Sequence, residues 1–161
     1  MSVTSLNKDL ENLTLTLVAD FSAPVERVWQ LWADPRQLER WWGPPSYPAT
    51  VEQHDLTPGG DVTYFMTGPE GDKYRGWWRV ATVGAPTSLE FTDGFADQDG
   101  VPNADMPTTA TRVTLTERDG GTRMEMLSVF DTRDQMEQLM KMGMEDGLRE
   151  AAGQMDGLLA G

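Results

Sequence analysis

Cysteine is absent from the 161 residues, which removes disulfides, thiolate nucleophiles and thiolate metal sites together and fits a reducing compartment. The single histidine, His54, leaves no multi-histidine metal site. Basic residues are scarce as well: 13 lysines and arginines stand against 26 acidic residues, for a net charge of -13. Phosphate recognition needs a concentrated basic face, so DNA, RNA and anionic membrane surfaces are poor partners. The acidity suits either a basic protein partner or plain solubility. No stretch approaches the ~20 apolar residues of a membrane span, and residues 1–10 have neither a basic start nor an apolar run. The expectation is a soluble cytoplasmic protein with no membrane span. Residues 1–10 read as a flexible N-terminal segment ahead of one domain over 11–161, long enough to bury a core without staples. There is no Gly-x-Ser-x-Gly elbow and no phosphate-cradling loop, and no cofactor is indicated.

What is present falls into two periodicities, strand alternation and helical spacing. Residues 13–21 alternate apolar and polar side chains, which predicts a strand showing Leu13, Leu15, Leu17, Ala19 and Phe21 to one side. Ser22-Ala23-Pro24 then opens a helix in which Val25, Val28, Trp29 and Trp32 recur at helical spacing. Asp34-Pro35 ends it, a second short helix covers 35–41, and Gly43-Pro44-Pro45 redirects the chain. From 49 to 130 the period changes to two, with turn signals at Pro58-Gly59-Gly60, Gly68 to Asp72, Ala85-Pro86 and Arg118 to Gly121. The pairs Val62/Tyr64, Leu89/Phe91, Val113/Leu115 and Met124/Met126 each alternate with polar residues, so one face of an antiparallel meander is buried and the other wet. A polar stretch over 93–107 reads as a rim or lid loop.

The cover for the buried face is the C-terminal segment. Thr132 and Gln135 have capping-box spacing, and Met136, Leu139, Met140, Met144, Leu148, Ala151, Met155 and Leu159 form a helical stripe. One helix over 133–159 would span roughly 40 Å. Glycines at 143, 147, 153 and 157 each cost about 1 kcal/mol inside such a helix, which points to a close approach or a cavity at least at the first pair.

The order of these elements resembles the α+β helix-grip fold of the SRPBCC (START-like) superfamily. Phe21-Ser-Ala-Pro24 with Val28-Trp29, Trp41-Trp42-Gly43-Pro44, Asp55 to Gly60, Gly68 to Gly71, Asp119 to Thr122 and Met142 to Gly147 are more narrowly similar to the activator of heat-shock-protein-90 ATPase homologue family. The likeness runs over 13–159. It departs at Thr57 and Val80, where family members often carry a basic and an acidic residue. The resemblance implies a curved antiparallel sheet of about seven strands around a long C-terminal helix, with two short helices after the first strand.

It also implies a mostly apolar cavity between sheet and helix. Parity then nominates Trp42, Tyr64, Met66, Trp78, Phe91, Leu115 and Met126 from the sheet side as its lining, and Met140, Gly143, Met144, Gly147 and Leu148 from the helix. Flexible, polarizable thioethers with Tyr and Trp donors suit an adaptable apolar or aromatic small molecule or lipid, while the same residues serve equally as an ordinary filled core. Three functions follow as expectations: sequestration of such a molecule, which requires no covalent chemistry; a cyclase- or hydrolase-type reaction using Tyr64, His54 or Asp55; and a co-chaperone-like module with a chaperone partner. A homodimer is the base-rate assembly.

Three local features have competing readings. Alternation puts Val51, Gln53 and Asp55 on one face and Glu52 and His54 on the other, with the inward face open. An exposed strand histidine and a general base are both compatible with that pattern. Asp93, Asp97 and Asp99 crowd the loop ahead of Gly100, but EF-hand spacing and its terminal Glu are missing, and solvated loop acids account for them. Trp41-Trp42 suits a wedge seating the short helices on the sheet, a cavity gate or a partner-binding patch.

Overall fold

The computed structural model describes residues 3–160. Among them, eight strands form one antiparallel sheet in the order β1-β2-β8-β7-β6-β5-β4-β3. Strand β1 (Val3–Asp9) precedes β2 (Thr14–Phe21), and two helices follow, α1 (Val25–Ala33) and α2 (Pro35–Leu38). The meander then runs β3 (Ala49–His54), β4 (Asp61–Thr67), β5 (Lys73–Gly84), β6 (Ser88–Phe95), β7 (Thr109–Arg118) and β8 (Gly121–Phe130). Helices α3 (Arg133–Lys141), α4 (Met144–Gly153) and α5 (Met155–Leu159) close the chain.

The strands follow their sequence alternation. Leu15, Leu17, Ala19 and Phe21 of β2 are buried, as are Val113 and Leu115 of β7 and Met124, Met126 and Phe130 of β8. Removing these side chains from water is the main source of stability, at about 25 cal/mol per Å² of apolar surface. Helix α1 presses Val28, Leu31 and Trp32 onto the same core. Asp34 ends α1 and caps α2, its Oδ1 accepting the Arg36 N–H at 2.9 Å with Pro35 in the first turn.

Several expectations need correction. Residues 3–9, expected within a flexible lead-in, form β1 and pair with β2, which makes the count eight rather than about seven and puts the two short helices after the second strand. The hairpin is set by Asp9, whose Oδ1 accepts the N–H groups of Glu11 at 3.0 Å and Asn12 at 3.1 Å. Leu13 sits in that turn at φ 57 rather than in the strand.

The closing element is not one helix over 133–159. Gly143 takes φ 92, ends α3 after Met142 and starts α4, while Gln154 separates α4 from α5. A left-handed residue just past a helix end is the usual stop for glycine, which loses nothing by lacking Cβ contacts there. Thr132 does cap α3, accepting the Gln135 N–H at 3.1 Å, but Gln135 Oε1 does not reciprocate.

The loop expected over 93–107 starts later, because β6 continues through Phe95.

Candidate functional site

Gly143 separates α3 from α4, and a pocket of about 280 Å³ lies beneath them. Its sheet wall comes from Tyr64 and Met66 on β4 and from Asp93, Gly94 and Phe95 on β6. Thr109 on β7 and Trp42 in the turn after α2 complete that side. Leu139, Met142, Met144, Gly147, Leu148 and Ala151 supply the helical side, with Met142 53% exposed.

Of the lining nominated from sequence, Trp42, Tyr64, Met66, Gly143, Met144, Gly147 and Leu148 stand at the pocket wall. Trp78, Phe91, Leu115, Met126 and Met140 do not. Trp78 and Phe91 stack on each other at 4.0 Å between ring centroids and, like Leu115 and Met126, are sealed in the core. The inward face of the sheet is longer than the pocket. Its far half is filled by helix α1 and the tryptophans, so inward parity alone does not place a side chain in the cavity. Met140 packs instead on the smaller cluster of Leu15, Phe130, Met136 and Leu139.

The adjacent tryptophans divide their roles. Trp41 is fully buried, and its indole N–H donates to the Leu31 carbonyl at 2.8 Å, fixing α1 to the following turn. Trp42 meets Trp78 edge-on at 4.8 Å and turns its other side to the pocket. Such aromatic contacts add about 0.5–1.5 kcal/mol each beyond area burial. Gln154, between α4 and α5, donates to the carbonyls of Gly43 at 2.7 Å and Trp41 at 3.3 Å and so ties the closing helices to this turn.

The polar end of the pocket is a pair. Tyr64 lies opposite Gly76 in the β4–β5 register, and its ring crosses the bare strand. A Cβ at Gly76 would collide with the Tyr64 hydroxyl and ring. Because that space is empty, the hydroxyl reaches the next strand and donates to Asp93 Oδ1 at 3.2 Å. Burial pushes the Asp93 carboxyl up from its ordinary 3.8 to about 7, against the Tyr64 hydrogen bond, which pulls it down. Burial, and then the neighbouring Asp93 charge, raise Tyr64 well above 10.0. The indole N–H groups of Trp42 and Trp78 are close enough to favour an ionised Tyr64, yet neither makes a well-formed hydrogen bond.

Sequence reasoning missed Asp93 as a site residue by grouping it with Asp97 and Asp99. The signal was available: Leu89, Phe91 and Asp93 share one parity, and extending the alternation by one step points Asp93 inward. Asp97 instead orders its own loop, accepting the N–H groups of Asp99 at 2.9 Å and Val101 at 3.0 Å. Among the described residues no group of acidic or histidine side chains is arranged to hold a metal ion.

His54 does not reach the pocket. A register shift between Val51 and Gln53 reverses the parity of the strand end and pairs His54 with the inward-facing Val62. There its Nε2 lies 3.0 Å from the Trp32 carbonyl. Asp55 is likewise outside the lining and receives the Thr57 hydroxyl at 2.7 Å.

A curved antiparallel sheet closed by C-terminal helices is the helix-grip arrangement expected of the START-like superfamily. The family model for activator of Hsp90 ATPase homolog 1-like protein matches residues 22–160, and the chain belongs to that family. A solution structure of an Arthrobacter aurescens protein is 50% identical and superposes with a TM-score of 0.95, covering 99% of this chain and 92% of that one. A crystal structure of a Mycobacterium smegmatis protein is 52% identical with a TM-score of 0.90, covering 98% and 96%. A Silicibacter pomeroyi protein of the same family is 26% identical with a TM-score of 0.74, covering 91% and 97%. Comparison with curated proteins finds no match. Membership is consistent with a ligand-binding or co-chaperone-type domain. Among the described residues no helix is long and apolar enough to cross a membrane.

Proposed function

We propose that the protein binds a small, mostly apolar molecule in the pocket between β4, β6 and the helices α3 and α4. The observation that carries this reading is the wall itself. Met66, Phe95, Leu139, Met144 and Leu148 surround about 280 Å³ of space with Asp93 and Tyr64 at one place. That is near the lower limit of ligand pockets, which are typically apolar with a few oriented polar groups. The methionines allow the wall to adapt to shape. Native mass spectrometry of the freshly purified protein, with extraction of any adduct, tests it. A reproducible adduct that disappears in Gly147→Leu is expected, since no atom lies within 4 Å of a Cβ at that position. A bare protein mass, together with no thermal shift on adding apolar probes, would refute it.

The Asp93–Tyr64 pair favours one second reading, acid–base chemistry on the bound molecule. A carboxyl raised to about 7 is matched to proton transfer near neutral pH, and an apolar body seated in the pocket would displace water from beside it. This moves the enzymatic alternative from His54 and Asp55 to Asp93. Turnover of a bound compound that vanishes in Asp93→Asn while binding persists would support it.

A further inference from the structure

The polar end of the pocket has one sign. Asp93 and Tyr64 are the titratable side chains of its wall among the described residues, and no lysine, arginine or histidine accompanies them. Tyr64 occupies Asp93 Oδ1. Oδ2 makes no hydrogen bond among the described residues, yet it is not sealed away as the indole nitrogens of Trp42 and Trp78 are, so it stays open to the pocket. Three aromatic rings, Trp42, Tyr64 and Phe95, stand in the same wall. A free carboxylate oxygen beside aromatic faces attracts a cation twice, through the ion pair and through the ring quadrupoles. The net charge of -13 adds a long-range field of the same preference.

Building on the pocket-binding reading above, we propose that the ligand is a small organic amine, its protonated nitrogen on Asp93 Oδ2 and its apolar body against Met66, Phe95, Met144 and Leu148. An anionic ligand such as a fatty acid meets an unfavourable end: its carboxylate would face Asp93, with a shared proton as the sole remedy. A neutral alcohol can donate one hydrogen bond but gains no ion pair.

Isothermal titration calorimetry with phenethylamine, 2-phenylethanol and phenylacetate separates these cases, because the three share a ring and differ at the head. The amine binds at least about tenfold tighter than the alcohol at about pH 8, and phenylacetate binds weakest. With Asp93 losing its proton near 7, that amine-to-alcohol preference shrinks about tenfold by about pH 6. This comparison uses the unmodified protein. Asp93→Asn removes the preference for the amine at the higher pH. Equal binding of amine and alcohol at both pH values would overturn the amine assignment and leave the pocket reading standing. Failure of all three to bind would overturn both.

Discussion

Asp93 should make this protein less stable as the pH rises toward neutrality, and Asp93→Asn should remove that loss. The carboxyl titrates near 3.8 in an unfolded chain and at about 7 in the fold. Between those values the folded state holds a proton that the unfolded state has released, so unfolding stability falls as the pH rises and levels off above the folded value. At about 1.4 kcal/mol for each pH unit, the ceiling on the cost is about 4 kcal/mol. Asp93 is half-buried with Oδ2 open to the pocket, so solvent partly screens its charge. That screening lowers the attainable change between about pH 5 and about pH 8 to roughly 1–2 kcal/mol. Asparagine is nearly isosteric and still accepts the Tyr64 hydroxyl, but carries no charge to bury. Denaturant unfolding of both proteins at the two pH values gives the result as a double difference, in which the surface carboxylates cancel. The stability of Asp93→Asn relative to the parent should rise by that roughly 1–2 kcal/mol from the lower to the higher pH. Parallel stability curves for the two proteins would refute burial of an ionisable Asp93.

Three further substitutions probe the geometry around the site. Gly76→Ala places a methyl against the Tyr64 hydroxyl and should cost about 1–3 kcal/mol in denaturant unfolding. The cost should shrink when combined with Tyr64→Ala, which removes the ring as well as the hydroxyl, and simple additivity of the two would show that the ring does not lie over Gly76. Gly143→Ala strains a residue at φ 92 and should destabilise by about 1 kcal/mol, whereas Gly147→Ala meets nothing and should stabilise by up to about 1 kcal/mol. Thermal melts showing the same sign for both glycines would contradict the helix break. Trp41→Phe removes a buried hydrogen bond to Leu31 and part of a buried ring, for about 2–4 kcal/mol. A loss under about 1 kcal/mol would show that Trp41 does not wedge α1 against the turn.

The strands and helices were legible because their periodicities are local. Leu15, Leu17 and Ala19, or Val113 and Leu115, alternate with threonines in the chain and are buried in the fold. Strand β1 was illegible for the opposite reason. Residues 3–9 carry too few apolar side chains to mark a buried face, and they are ordered by pairing along the edge of β2. The cavity lining was half legible. Parity correctly turned Trp78 and Phe91 inward, but whether an inward side chain meets space or α1 depends on which helix crosses above it. His54 was undecidable from alternation because the bulge before Gln53 inserts a residue and reverses the parity beyond it.

The sequence by itself determined the class of fold and most of the core, since apolar alternation and a helical stripe each have one way to leave water. It also determined the sign of the surface, through its surplus of acidic residues. Tertiary structure alone decided the polar end of the pocket. Tyr64 and Asp93 are 29 residues apart on strands that are not paired with each other, and they meet across β5 because Gly76 leaves room for a ring to lie over it. Side-chain direction follows from a residue's own strand, but a contact across an intervening strand depends on register and on a missing side chain that neither partner encodes.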